Sequence, residues 1–394
     1  MAIKRLDELA VAGKRVFCRV DFNVPLTDDG NVSDDTRISK VLPTIKRLRD
    51  AGARVICASH LGRPKGKVVE KLRMEPVGAR LADLLGDGDV LVTDEPSGDG
   101  ARQVIDRARE GDVVLLENLR FDARETENED SFARELAALA DIYLNDAFGT
   151  AHRAHASTVG MVQYVEQRGA GLLMFRELEM LGRLLSGAPK PFIAILGGAK
   201  VSDKLPVITN LLGKVDALII GGAMANTFIA AQGGALGRSM VESDALDAAR
   251  QVLARAQSKG VDLLLPVDAV VAPSLDAAGG ETVPADAIPA EQMALDIGPQ
   301  TLAAYRDRLS SAGAVFWNGP MGVFEKEPFA AGTMGIAEAV AASSAMSVVG
   351  GGDSVAAVVK SGTADKITHI STGGGASLEF MSGKTLPGVA ALEV

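Results

Sequence analysis

Residues 15–25 read RVFCRVDFNVP, an apolar run over 15–22 that ends in a polar turn holding Asp21 and Asn23. Three further stretches of the first half take the same form. Strands expected at 53–59, 112–117 and 141–144 run into SHLGRP (59–64), LLENLRFD (115–122) and NDAFGTAHRAHAS (145–157). Helical patterns fill the intervals at 38–51, 76–85, 101–110 and 129–140. Near-continuous apolar strands alternating with helices predict a parallel sheet covered on both faces.

The second half repeats the theme, with strands expected at 192–196, 217–220, 262–266, 314–317, 346–349 and 367–370. Its strand ends carry glycines instead of arginines: LGGAKVSDK (196–204), IIGGAM (219–224), WNGPMGVFE (317–325), GGGDS (350–354) and STGGGAS (371–377). A helix at 244–258, with Ser243 as N-cap and Gly260 at its end, is the best-marked element. Between the halves, LLMFRELEMLGRLL (172–185) reads as a connecting helix. The fold class that follows is α/β, with two doubly wound, Rossmann-like parallel-sheet domains joined by a helix and hinge. Such sheets bind ligands beyond the carboxyl ends of their strands, where every one of these motifs falls.

Bulk properties narrow the classes of function. At 394 residues the chain exceeds a single core. Its net charge of −10 argues against non-specific nucleic-acid or membrane binding. The start MAIKRLDEL is charged where a signal peptide is apolar. The uncharged stretch 217–237 carries Asn226, Thr227, Gln232 and several glycines, and reads as strand, loop and helix rather than a membrane span. Cys18 and Cys57 lie in expected strands and read as buried thiols. A cytoplasmic protein is expected.

In the basic half, Arg37 opens a helix, while His60, Arg63, Arg120, Arg153 and His155 follow strands. Several guanidinium forks on one rim suit a small, multiply charged anion such as a phosphorylated carboxylate. Asp21 and Asn23 are placed to accept from a substrate hydroxyl or to orient an arginine. The plainer alternative is a set of solvated loop charges. No His spacing matches a common zinc pattern.

The glycine half has no Walker A motif, and no G-x-G-x-x-G opens a βα unit. What it offers is a nucleotide site assembled from several strand-end turns. Lys200 and Lys204 are four apart, so one helical turn would put both on one face, ready to neutralise phosphoryl oxygens. GGGDS precedes a helix expected at 355–360, and a helix N-terminus with nearby glycine amides favours anions. Asp353 is positioned to bind Mg²⁺ on the phosphates and Ser354 to donate to a phosphate oxygen; each would equally serve as a helix cap. Glu325 is a candidate partner for ribose hydroxyls.

Taken in order, these segments resemble phosphoglycerate kinase over nearly the whole chain. The resemblance implies a kinase moving phosphoryl reversibly between ATP and 3-phosphoglycerate, giving 1,3-bisphosphoglycerate and ADP, with Mg²⁺ as cofactor and a monomeric state. Carried onto matching positions, the phosphoglycerate contacts are Asp21, Phe22, Asn23, Arg37, His60, Leu61, Gly62, Arg63, Arg120 and Arg153. The nucleotide contacts are Gly197, Lys200, Lys204, Gly221, Gly222, Asn318, Gly322, Glu325, Gly351, Gly352, Asp353 and Ser354, with Asp353 approaching the metal and Arg37, Lys200 and Lys204 acting in catalysis. The implied domains are 1–171 for phosphoglycerate, 172–186 as interdomain helix, 187–372 for the nucleotide, and 373–394 returning to the N-terminal domain. Ser354 stands where many members have Thr, which keeps the hydroxyl.

A carboxylate acceptor is already deprotonated at neutral pH, so no general base is needed and catalysis rests on positioning and cationic stabilisation. Hinge closure would unite the two domains and exclude water. Two rivals are a two-domain binding protein for a phosphorylated metabolite and a nicotinamide-dependent dehydrogenase. The first has no need of Lys200, Lys204 and Asp353, and the second lacks its fingerprint.

Overall fold

The computed structural model describes residues 3–86 and 90–393. It contains two compact units, one comprising the residues up to Glu179 together with those from Thr385 onward, the other Met180–Lys384. The boundary falls inside the helix Leu172–Gly187, where the sequence predicts a connector. The second unit runs past residue 372 because helix Gly375–Met381 packs against Leu205–Leu211. Only the last residues join the first unit, where Gly388 N donates to Ala151 O at 2.8 Å and Arg168 Nη2 to Glu393 O at 3.0 Å.

The first unit is built on a six-stranded sheet in the order Val90–Val92, Val113–Leu115, Arg54–Ala58, Arg15–Arg19, Ile142–Asn145, Gln167–Ala170. Every pairing is parallel. Its middle strands are buried almost throughout, as a sheet covered on both faces requires. Cys18 and Cys57 face one another in register as free, buried thiols. The chain order reverses beside Arg15–Arg19, and at such a switch point a crevice opens past the strand ends. The edge strands Val90–Val92 and Gln167–Ala170 escaped the sequence pattern because half or more of their positions are not buried.

The second unit has its own six-stranded parallel sheet: Asp262–Leu264, Ala217–Ile220, Phe192–Leu196, Ala314–Asn318, Met346–Gly350, His369–Ile370. Here the order reverses beside Phe192–Leu196, and both strands at the switch are buried at every position. Trp317 is wholly buried, with its indole N–H donating to Gly319 O at 2.8 Å. One large aromatic thus fills the core and fixes the turn that follows its strand. The stretch 217–237 divides into strand Ala217–Ile220, helix Ala223–Ala231 and strand Ala235–Leu236. Among the described residues no helix is long and apolar enough to cross a membrane.

Two expectations need correction. The helix Leu246–Lys259 ends at Gly260 as predicted, in a left-handed conformation (φ 67°), but Ser243 does not cap its start. Glu242 is pinned by Thr227 Oγ1 and by Ser202, so Ser243–Ala245 forms a 3₁₀ turn and Ala245 takes the cap position. The unit is also not a parallel sheet alone. Glu281–Pro284, Asp268–Ala272 and Met293–Ile297 form an antiparallel three-stranded sheet, and Ala235–Leu236 pairs with Ala287–Ile288. Glu281–Pro284 is mostly exposed and shows no apolar alternation, which hid this subdomain.

Candidate active site

In the first unit, the turns after neighbouring strands are stitched together by their own polar groups. Asn23 Oδ1 accepts from Gly62 N at 2.8 Å, and Phe22 N donates to Ser59 Oγ at 2.8 Å. Asn118 organises the third turn: its Oδ1 accepts from Leu61 N at 3.1 Å and its Nδ2 donates to Leu61 O at 2.8 Å. Phe22 and Leu61 are consequently buried, and their side chains belong to the core.

On this frame sit the cations. Arg37 is exposed and its Nη1 pairs with Asp21 Oδ2, so Asp21 orients an arginine, one of the two roles the sequence left open. Arg120 Nη1 donates to Gly62 O at 3.0 Å, while its Nε is buried without a partner. Burial, then the neighbouring Arg153 and Arg19, lowers Arg120 to about 10, which leaves it cationic at neutral pH. His60 is 3% exposed. Burial holds its pKa well below the usual value, reinforced by Arg19, Arg120, Arg153 and Arg37. The imidazole is therefore neutral; Arg19 Nη2 lies 3.4 Å from its Nδ1, and all four arginines disfavour its charged form. Arg153 is exposed, its Nε donating to His152 Nε2 at 3.2 Å. Arg63 is exposed and is not among the arginines acting on His60.

Arg19 was not found from sequence, because it sits inside an apolar strand and looks like a strand residue. It is 1% exposed and donates through Nε to Ser157 Oγ at 2.8 Å. Ser157 in turn donates to Glu125 Oε1 at 2.6 Å, and its amide donates to Glu125 Oε2 at 2.9 Å. A buried charge is tolerable only when so satisfied. Ser157 ends the motif NDAFGTAHRAHAS, so this network anchors the segment that carries Arg153. His155 Nδ1 lies 3.8 Å from Glu125 Oε1, yet burial and the arginines lower the histidine to about 4. The histidine is uncharged at neutral pH, so the contact is not an ion pair.

In the second unit, a cavity of about 390 Å³ opens past the strand ends. Gly222, Gly322, Glu325 and Asp353 line it, with Ala225, Ile229, Leu295, Met321 and Val323 supplying apolar walls. A mostly apolar pocket with a few polar groups is the ordinary form of a small-molecule site. Gly197 and Gly221 lie outside the lining. A Cβ at Gly197 would fall 2.0 Å from Pro320 O, and one at Gly221 2.3 Å from Met321 Sδ, so both let the turn 319–321 approach. Gly351 adjoins Asn318 and Gly352 is exposed at the start of the next helix.

The two lysines do not share a helical turn. Lys200 lies in an exposed loop, and Lys204 is the cap residue of helix Leu205–Leu211, with Pro206 in its first turn. The loop after Leu196 is too irregular for a shared helical face. Lys204 alone is drawn inward: its Nζ donates to Asn318 Oδ1, and burial lowers it to about 8. Ser354 is also placed differently from the expectation. Helix Gly352–Lys360 begins earlier than predicted, so Ser354 lies buried in its first turn and accepts from Gly319 N at 2.5 Å. It clips one turn to another instead of lining the cavity. Asp353, beside it, is exposed and lines the cavity.

Among the described residues no cluster of three or more His, Cys, Asp or Glu could hold a metal ion. A lone carboxylate is nevertheless the usual protein contribution to Mg²⁺ carried on phosphates, so Asp353 fits that cation.

The family model for phosphoglycerate kinase matches residues 6–384. The chain is 55% identical over 396 residues to phosphoglycerate kinase of Anaeromyxobacter dehalogenans strain 2CP-C, covering both completely. It is 56% identical over 394 residues to that of Pelotomaculum thermopropionicum, covering all of this chain and 99% of the relative. Among solved structures, phosphoglycerate kinase from Coxiella burnetii matches with a TM-score of 0.91 at 42% identity, covering 99% of each chain. That from Pyrococcus horikoshii OT3 matches with a TM-score of 0.85 at 37% identity, covering 98% of each. With matches that run through both units from end to end, the chain belongs to the phosphoglycerate kinase family.

Proposed function

We propose that this chain transfers the γ-phosphoryl group of ATP to the carboxylate of 3-phosphoglycerate, reversibly, forming 1,3-bisphosphoglycerate and ADP. Family membership supports the activity. The observation that carries the acceptor assignment is the set of Arg37, Arg120 and Arg153 acting on a neutral His60, with Arg120 Nε still unpaired. Such a cluster, on a protein of net charge −10, is stabilised by an anion with several oxygens.

In the forward direction a carboxylate oxygen attacks the γ-phosphorus and the bond to the β-phosphate oxygen breaks, its electron pair leaving with ADP. No proton moves, which agrees with a site whose histidine is neutral and buried. The arginines hold the acceptor, with Arg37 steadied by Asp21, while Lys204 offers its charge to the phosphoryl oxygens from its seat on Asn318. Lys200, exposed on its loop, is free to join it. Glu325 and Gly322 would face the nucleoside. Asp353 would hold Mg²⁺, which when bound offsets charge on the phosphates. In-line transfer demands that acceptor and donor meet during the cycle, so hinge closure belongs to the proposal. Buried free thiols at Cys18 and Cys57 fit a reducing, cytoplasmic setting, and a monomer suffices for the reaction.

A coupled assay with ATP, Mg²⁺ and 3-phosphoglycerate tests the proposal. Acyl phosphate formation dependent on all three is the expected result. Binding of both ligands without turnover would favour a closing receptor instead.

A further inference from the structure

The cavity of the second unit contains a carboxyl group that the proposed reaction does not use. Asp296, on strand Met293–Ile297, is 5% exposed and lines that cavity. Its Oδ2 accepts from Gly332 N, in the first turn of helix Ala331–Ala342, at 2.7 Å. Its Oδ1 accepts from the adjacent Ile297 N at 2.9 Å. Gly322 presses so closely that a Cβ there would fall 2.3 Å from Asp296 Oδ1, and a Cβ at Gly332 would do the same. The strand also accepts directly from the loop 320–325, with Val323 N donating to Leu295 O at 2.8 Å.

A second side chain acts on the same loop from the helix. Thr333 is wholly buried, and its Oγ1 accepts from Met321 N at 2.9 Å and Gly322 N at 3.3 Å. Asp296 therefore holds the helix start and packs on Gly322, while Thr333 takes the N–H groups of the loop itself. Together they set a segment whose Met321, Gly322, Val323 and Glu325 all line the cavity. Burial is unfavourable for this carboxyl and raises it to about 7, against the two amides that favour its charged form. An apolar side chain would avoid that desolvation but would leave Gly332 N and Ile297 N without acceptors.

We propose that Asp296 and Thr333 are positioning residues that lock the loop 320–325 into the shape that receives the nucleoside part of ATP or ADP. This deepens the nucleotide assignment of the cavity and rests on it. Affinity for nucleotide then depends on both residues, whereas phosphoglycerate binding and the transfer step do not.

The test uses the full chain. ADP binding is measured by calorimetry, and kcat with both KM values by the coupled assay, for the parent, Asp296→Asn, Thr333→Val and Thr333→Ser. Asn can accept from only one of the two amides and turns its own NH₂ against the other. Val keeps the shape of Thr333 without the acceptor, and Ser keeps the acceptor. The expected result is at least tenfold weaker ADP binding and a matching rise in KM for ATP in Asp296→Asn and Thr333→Val. The fall in kcat should stay below twofold, KM for 3-phosphoglycerate should not move, and Thr333→Ser should restore the parent values. If Asp296→Asn does not fold, the Thr333 pair decides alone. Unchanged ADP affinity in Thr333→Val, or equal impairment in Thr333→Ser, overturns the positioning role while leaving the nucleotide site standing. A folded parent that does not bind ADP overturns both.

Discussion

Lys204 and Asn318 form a contact that ties a candidate phosphoryl-binding cation to the switch-point strands of the second unit. Asn318 accepts from the Lys204 ammonium through Oδ1 and donates through Nδ2 to Gly350 O at 2.9 Å. Its side chain thus bridges the cation to strand Met346–Gly350. Burial lowers Lys204 to about 8, and the carboxylates of Asp203 and Asp353 oppose that shift only in part.

A pH dependence follows from that value. The active form of Lys204 is its cation, and a lowered pKa means the charge is lost sooner as pH rises. Because kcat/KM reports the free enzyme, kcat/KM for ATP should fall as pH rises through about 8. Lys204→Arg stays charged across this range, so its profile should lose the alkaline limb while its absolute rate drops, since the fork does not fit the seat on Asn318. An alkaline limb unchanged in Lys204→Arg would assign the titration to another group.

Arg37 is exposed but not loose, because Asp21 holds it. A cation so aimed acts on charge that develops during transfer. Arg37→Ala should lower kcat at least a hundredfold, the roughly 3 kcal/mol typical of one lost transition-state donor. ATP affinity should be unaffected. Near-normal turnover at saturating substrates would remove Arg37 from the transferring shell.

The parallel strands and the motifs beyond them were legible because buried central strands are apolar without interruption, as at 192–196 and 217–220. The arginines that follow strands could likewise be read as one rim, since sheet topology alone brings such ends together. Arg19 was hidden for the opposite reason: a cation inside a buried strand reveals itself only through distant partners, Ser157 and Glu125. Lys200 and Lys204 misled because a spacing of four suggests a helix, whereas the chain turns irregularly between them. Ser354 misled because sequence shows a hydroxyl near a helix start but not which way it faces. Asp296 and Thr333 carried no local signal, since what they hold lies on a loop from another part of the chain.

Asp353 is exposed in the first turn of helix Gly352–Lys360, with the cavity beside it. Its carboxylate has no ion-pair partner among the described residues, so its charge is available to a phosphate-bound cation. Asp353→Ala should weaken ADP binding in the presence of Mg²⁺ and leave 3-phosphoglycerate binding as it was. Calorimetry with Mg²⁺ and with a chelator separates the causes. A loss of the same size in both conditions would show that Asp353 does not act through the metal.

Ser157 is the hinge pin of the buried network under the basic rim. Removing its hydroxyl leaves Arg19 Nε without an acceptor and takes from Glu125 Oε1 a donor at 2.6 Å, and both residues are almost fully buried. Each orphaned group in such a place is unfavourable by about 1–3 kcal/mol, so Ser157→Ala should destabilise the first unit by roughly 3 kcal/mol. Because the same hydroxyl anchors the segment that carries Arg153, KM for 3-phosphoglycerate should rise while ADP binding holds. Urea unfolding of the variant and the two ligand titrations read these effects separately. Stability equal to the parent would mean that Arg19 and Glu125 find each other without the serine, and that the network does not depend on it.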